Sequence, residues 1–118
     1  MINYILIAVI ILLVDLPWLI LGSNNSSSMI KKIQGVPLKI RYIPAIIVYL
    51  ALSYLVTLPN NTTEAFLLGL STYAVYDFTN YATLKNYSLQ FALMDSLWGG
   101  ILFAIVHNIL KSFNINTK

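Results

Sequence analysis

The sequence predicts an all-α fold, a transmembrane four-helix bundle, on three observations. Hydrophobic residues fill 58% of the 118 positions and charged residues only 9%, against roughly 25% charged content in soluble domains. The apolar residues gather in runs too long for the core of a small soluble domain, so a bilayer is expected to do the burying. Short polar turns separate four such runs. Residues 1–118 are therefore read as a single integral membrane domain, with mean hydropathy +0.78.

The first helix is expected at about 2–22, where about 20 residues at about 1.5 Å each match a hydrocarbon core of about 30 Å. It reads as a retained helix: no basic residue precedes it, the apolar core is longer than that of a secretory signal, and no Ala-x-Ala site follows. Residues 23–40 are expected to be a basic loop. Its Ser/Asn stretch, "GSNNSSS", predicts a flexible turn, and the remainder alternates apolar and basic residues along the headgroups. The second helix is expected at 41–58, opened by Pro44 in its first turn and closed by Pro59. A third spans 64–84, with Glu64 favourable at its N-terminus. The fourth spans 88–110, ahead of the polar tail "KSFNINTK".

Charge gives an orientation. Lys31, Lys32, Lys39, Arg41 and Lys85 fall on one side of the four-helix plan, and Lys111 and Lys118 on the other. The positive-inside rule makes the long loop cytoplasmic and both termini non-cytoplasmic, with the five basic residues on anionic lipid headgroups. The net charge of +3 has the same explanation. No basic patch interleaved with aromatics points to nucleic acid. The chain lacks cysteine and has one histidine, His107, so no zinc site of ordinary composition, and no other cofactor, is expected.

The informative residues are acids inside the runs. An aspartate at a bilayer centre costs roughly 2.5 to 3.5 kcal/mol on insertion scales, so it normally faces protein or water. Asp77 lies nine residues before Asn86 in the "KNYS" turn and Asp95 nine after it. In an antiparallel hairpin both then sit about 12 to 14 Å from the same helix ends, and Asp15, seven residues before Gly22, about 10 Å from that side. The expected polar intramembrane layer comprises Asp15, Tyr73, Tyr76, Asp77, Asn80 and Asp95, with Tyr73, Tyr76, Asp77, Asn80 and Thr83 on one stripe of the third helix. "DLPW" at 15–18 and "DSLW" at 95–98 echo one another. Each places an indole, Trp18 or Trp98, one turn after an acid, as an aromatic flank to the layer. Pro17 frees the carbonyl of Leu13 beside Asp15, and Gly99 and Gly100 permit close helix contact.

The segments "YDFTNYATLK" at 76–85, "MDSLWGG" at 94–100 and "DLPWL" at 15–19 resemble a known family. They are similar to the small multi-pass membrane proteins catalogued as domain of unknown function 2177, over nearly the whole chain. The resemblance implies a multi-pass integral membrane protein and carries over no catalytic residue.

Three classes of function follow from the residues. A structural or lipid-organising component would use the acids to hold helices together, with the bilayer and its anionic headgroups as partners. It is expected to be a homo-oligomer, because four helices enclose little space. A small proton- or cation-coupled transporter would use Asp15, Asp77 or Asp95 as a titratable site. An intramembrane aspartyl hydrolase would need the two acids Asp77 and Asp95 to share a proton. The Gly-x-Gly-Asp and Pro-Ala-Leu signatures of such proteases are missing, so an enzyme is the least favoured class.

Overall fold

A computed structural model describes residues 1–37 and 41–118; Lys39 lies outside the described residues. Four helices follow in order: α1 (Tyr4–Gln34), α2 (Tyr42–Leu55), α3 (Thr62–Thr83) and α4 (Leu89–Ser112), with no strand among the described residues. α1 packs against both α2 and α4, and α4 packs most extensively against α3. The fold is thus the expected all-α, four-helix arrangement.

α1 corrects the expected boundary at 22 and, over 23–34, the loop expected at 23–40. It continues for 31 residues, through the Ser/Asn run, to Gln34. No proline or glycine interrupts 23–34, and the hydroxyls turn inward on the helix: Ser23 Oγ donates to the Ile20 carbonyl at 2.9 Å and Ser26 Oγ to the Ser23 carbonyl at 3.4 Å. Polar side chains that read as a turn are thereby satisfied within the helix. Met29 adds tertiary support by packing with Tyr87 and Ala92. Gly35 stops the helix. Its φ of 78° is left-handed, and its N–H closes onto the Lys31 carbonyl at 2.8 Å.

α2 ends at Leu55, three residues before the expected boundary. Pro59 restricts the residue before it, and the chain tightens into shorter bonds, from Thr57 N to the Tyr54 carbonyl and from Leu58 N to the Leu55 carbonyl. α3 starts on a reciprocal cap: Asn61 accepts from Glu64 N at 2.9 Å, while Glu64 Oε1 accepts from Asn60 N at 3.1 Å. Ser88 caps α4 by accepting from Phe91 N at 3.1 Å.

Glycine sets the spacing of α3 and α4. A Cβ on Gly69 would strike the Gly99 carbonyl oxygen and the Phe103 side chain, and one on Gly99 would strike the base of the Tyr73 ring. The backbones therefore approach as only small residues permit. The core beside them joins Ile7 and Ile11 of α1, Leu52 and Val56 near α2, and Leu102, Phe103, Val106 and Leu110 of α4.

Acids are buried beside this apolar core while the exterior is itself largely apolar. Asp15, Asp77 and Asp95 are buried, whereas Ile5, Leu21, Ile43 and Val75 are each at least 70% exposed. α1 and α4 are long and apolar enough to cross a membrane. The 14 residues of α2 reach only about 21 Å, short of a hydrocarbon core of about 30 Å. The polar residues of α3 that form part of the site dilute its hydropathy.

Candidate functional site

The echo between "DLPW" and "DSLW" resolves into a crossed pair. Trp98 Nε1 donates to Asp15 Oδ1 at 2.7 Å, and Trp18 Nε1 donates to Asp95 Oδ1 at 2.9 Å. Each acid therefore takes the indole of the opposite helix, not its own. Helix geometry explains the exchange. An Asp and a Trp three residues apart lie one turn apart on one face, and two such motifs on antiparallel helices bring each acid level with the other motif's indole. The rings meet in the middle, stacked with centroids 5.7 Å apart and planes 16° from parallel.

Asp15 has a second donor. Tyr49 OH of α2 reaches its Oδ2 at 2.7 Å, so one carboxylate joins α1, α2 and α4. Sequence reasoning missed Tyr49: it sits in an apolar run whose nearest polar neighbour on that face is Ser53, one turn on, and the packing of α2 on α1 aims its hydroxyl.

Asp77 is fully buried. Tyr87 OH donates to its Oδ1 at 2.8 Å, while Oδ2 has no hydrogen-bond partner among the described residues. Asp95 and Ser96 of α4 lie beside it, and the Ser96 hydroxyl is committed to the Ala92 carbonyl at 2.7 Å. Tyr87, also missed from sequence, belongs to the α3–α4 turn, which folds its ring back beneath α3. Asn86 permits that turn with a φ of 69°. Burial, and then the Asp77 carboxyl it donates to, push the Tyr87 phenol well above the ordinary tyrosine range.

Tyr73 is half-buried and lines, with Asp15, Asp95 and Trp18, a cavity of about 250 Å³. Asn80 is half-buried beside Tyr87. Tyr76 departs from the expected layer, being 63% exposed. The buried line of α3 runs through Ala65, Gly69, Tyr73 and Asp77 in steps of four, and at about 100° per residue Tyr76 is turned away from Asp77. Thr83 is exposed as well, its hydroxyl bonded back to the Thr79 carbonyl at 2.8 Å. Lys31, Lys32, Arg41 and Lys85 are exposed.

Among the described residues, the side chains that donate to these three acids are neutral indoles and phenols: Trp18, Trp98, Tyr49 and Tyr87. Such a set fixes carboxyl groups in place and ties neighbouring segments together. No curated protein and no solved structure matches the chain. The model of a family described as "Predicted membrane protein (DUF2177)" matches residues 1–110, which include both Asp-x-x-Trp motifs and the Tyr-Asp segment of α3. The chain belongs to the DUF2177 family of predicted membrane proteins.

Proposed function

We propose that this protein is a multi-pass structural component of a membrane that organises the lipids around it, with its buried aspartates serving as acceptors that hold helices together. The crossed Asp15–Trp98 and Asp95–Trp18 bonds carry the reading. Both acids are engaged across a helix interface, and each bond uses a donor that cannot lose its proton at physiological pH. Outward-facing Ile and Leu side chains suit contact with acyl chains, and the exposed Lys31, Lys32, Arg41 and Lys85 suit anionic headgroups.

One observation favours a second reading, a small proton- or cation-coupled transporter. The cavity of about 250 Å³ is lined by both Asp15 and Asp95.

Asparagine and leucine substitutions separate the two. Asn keeps a side-chain oxygen that accepts from an indole but cannot titrate; Leu removes the acceptor. For a scaffold, Asp95→Asn stays close to wild type in thermal stability, Asp95→Leu inserts but is loosened, and wild-type proteoliposomes show no pH-driven proton or cation flux. A wild-type flux abolished by Asp95→Asn without loss of stability overturns the scaffold and establishes the transporter.

A further inference from the structure

The lower half of α1 and the start of α4 enclose a second, larger space, an open-sided groove of about 590 Å³. Its lining changes character along its length. Trp18, Leu21 and Met94 line the end nearer the acid layer, and Lys32, Asn86 and Gln90 the far end. From Trp18 to Lys32 the helix advances 14 residues, about 21 Å at about 1.5 Å per residue. That is the depth of one leaflet with its headgroups, about 20 to 22 Å.

Charge fixes which way round an occupant lies. The four acids of the chain are Asp15, Glu64, Asp77 and Asp95, and none of them lines this groove. Lys32 stands at the polar end, and the exposed Lys31 and Lys85 are its neighbours in sequence and on the adjoining turn. Asn86 Nδ2 donates to the Lys32 carbonyl at 3.4 Å, which holds the turn against the last part of α1. The α4 N-terminus, with Ser88 as its cap, opens at the same end and adds the positive pole of a helix dipole. At the inner end the groove shares Trp18, Gly22 and Phe91 with the cavity that reaches Asp15 and Asp95. A negative group is attracted to the outer end, and no cation lines the inner one.

Gly22 supplies an independent sign that the space is kept open. Glycine within a helix costs roughly 0.5 to 1 kcal/mol relative to alanine, and close packing is the usual compensation. At Gly22 an added Cβ would meet nothing within 4 Å. The missing side chain widens both cavities instead.

We propose that this groove is a binding site for one membrane phospholipid with an anionic headgroup. The phosphate lies among Lys32, Asn86 and Gln90, and an acyl chain runs past Gly22 to Trp18, Leu21 and Met94. The inference rests on the membrane reading above and deepens its lipid-organising part.

Native mass spectrometry of the detergent-purified full chain, incubated with an equimolar mixture of phosphatidylglycerol and phosphatidylcholine, tests it. Wild type is expected to retain one phosphatidylglycerol in preference to phosphatidylcholine. Lys32→Gln is expected to lower that preference about five-fold, the effect of one basic group at a headgroup. Gly22→Leu, whose Cβ meets nothing within 4 Å and whose branched end extends into the groove, is expected to lower retention of both lipids while leaving thermal stability in lipid-free detergent unchanged. Equal retention of the two lipids by wild type, or a Gly22→Leu variant that binds like wild type, overturns the groove as a lipid site. Partition of wild type into the aqueous phase of a Triton X-114 separation overturns the membrane reading itself, a result distinct from loss of headgroup preference.

Discussion

Trp18 and Trp98 stack at a centroid distance of 5.7 Å, and each donates its indole N–H to the aspartate on the opposite helix. Stack and bonds reinforce one another. The ring contact sets the distance between α1 and α4 at which both N–H groups reach a carboxylate, and the two bonds hold the rings nearly parallel. An aromatic pair contributes about 0.5 to 1.5 kcal/mol, and interhelical hydrogen bonds in membranes average about 0.6 kcal/mol each. The assembly is a modest fastener whose larger effect is to select one rotation of α1 against α4.

The two tryptophans are unequal under substitution. Trp98→Phe leaves Asp15 with Tyr49 as a donor, whereas Trp18→Phe removes the indole donor of Asp95. Both variants lose an N–H and keep a ring. Denaturant titration in detergent is expected to show Trp18→Phe as the more damaging, at about 1 to 3 kcal/mol for an orphaned buried acceptor, with Trp98→Phe nearer the low end.

The glycine contact between α3 and α4 is a steric requirement. Gly69→Ala directs a Cβ into the Gly99 carbonyl and the Phe103 side chain, so the helices must separate, and a cost at or above about 1 to 3 kcal/mol is expected. Cysteine pairs engineered across this interface report the separation as a loss of cross-linking yield.

Tyr87→Phe strips Asp77 of its phenolic donor and leaves its fully buried carboxyl without that bond. Replacing the whole pair is milder, because an apolar pair makes no unmet demand for a partner. Asp77→Leu/Tyr87→Phe is therefore expected to unfold at a higher temperature than the sum of the single-variant losses predicts. The phenol also gives a pH dependence. Its folded pKa is raised above the free value of about 10, so the folded state keeps a proton that the unfolded state releases. Stability from this group is complete below about pH 10 and falls as pH rises beyond it. Thermal scans at rising pH are expected to show this alkaline loss in wild type, with Tyr87→Phe lacking that component.

Gly35 closes the extended α1 in the left-handed region, with a φ of 78°. Gly35→Ala is expected to strain that cap by about 1 kcal/mol and to fray the last turn. Amide hydrogen exchange at residues 31–35 is expected to quicken, while exchange around Asp15 stays unchanged.

The acid layer was legible by counting, because a fixed rise per residue and an antiparallel hairpin place Asp77 and Asp95 at one depth. Rotation was not. Tyr76 shares the expected polar stripe yet faces outward, since the buried line of α3 is set by where Gly69 admits Gly99. The Asp-x-x-Trp echo was visible as a repeat, but its crossed pairing depends on α1 and α4 being direct neighbours, which no spacing within either helix states. The Ser/Asn run misled for a local reason: its composition favours turns, but Ser23 and Ser26 satisfy their hydroxyls on the helix itself, and tertiary contacts of Met29 and the Lys32 carbonyl hold its end against the α3–α4 turn and α4.

A double-mutant cycle on Trp18 and Asp95 tests the fastening role most directly, since Trp18→Phe and Asp95→Leu each delete one end of a single bond. Effects of Asp95 on Asp77 enter both arms and cancel. The account predicts a favourable coupling of about 0.6 to 1.7 kcal/mol in the denaturant-induced unfolding free energy. Additive losses, agreeing to within about 0.3 kcal/mol, would contradict it.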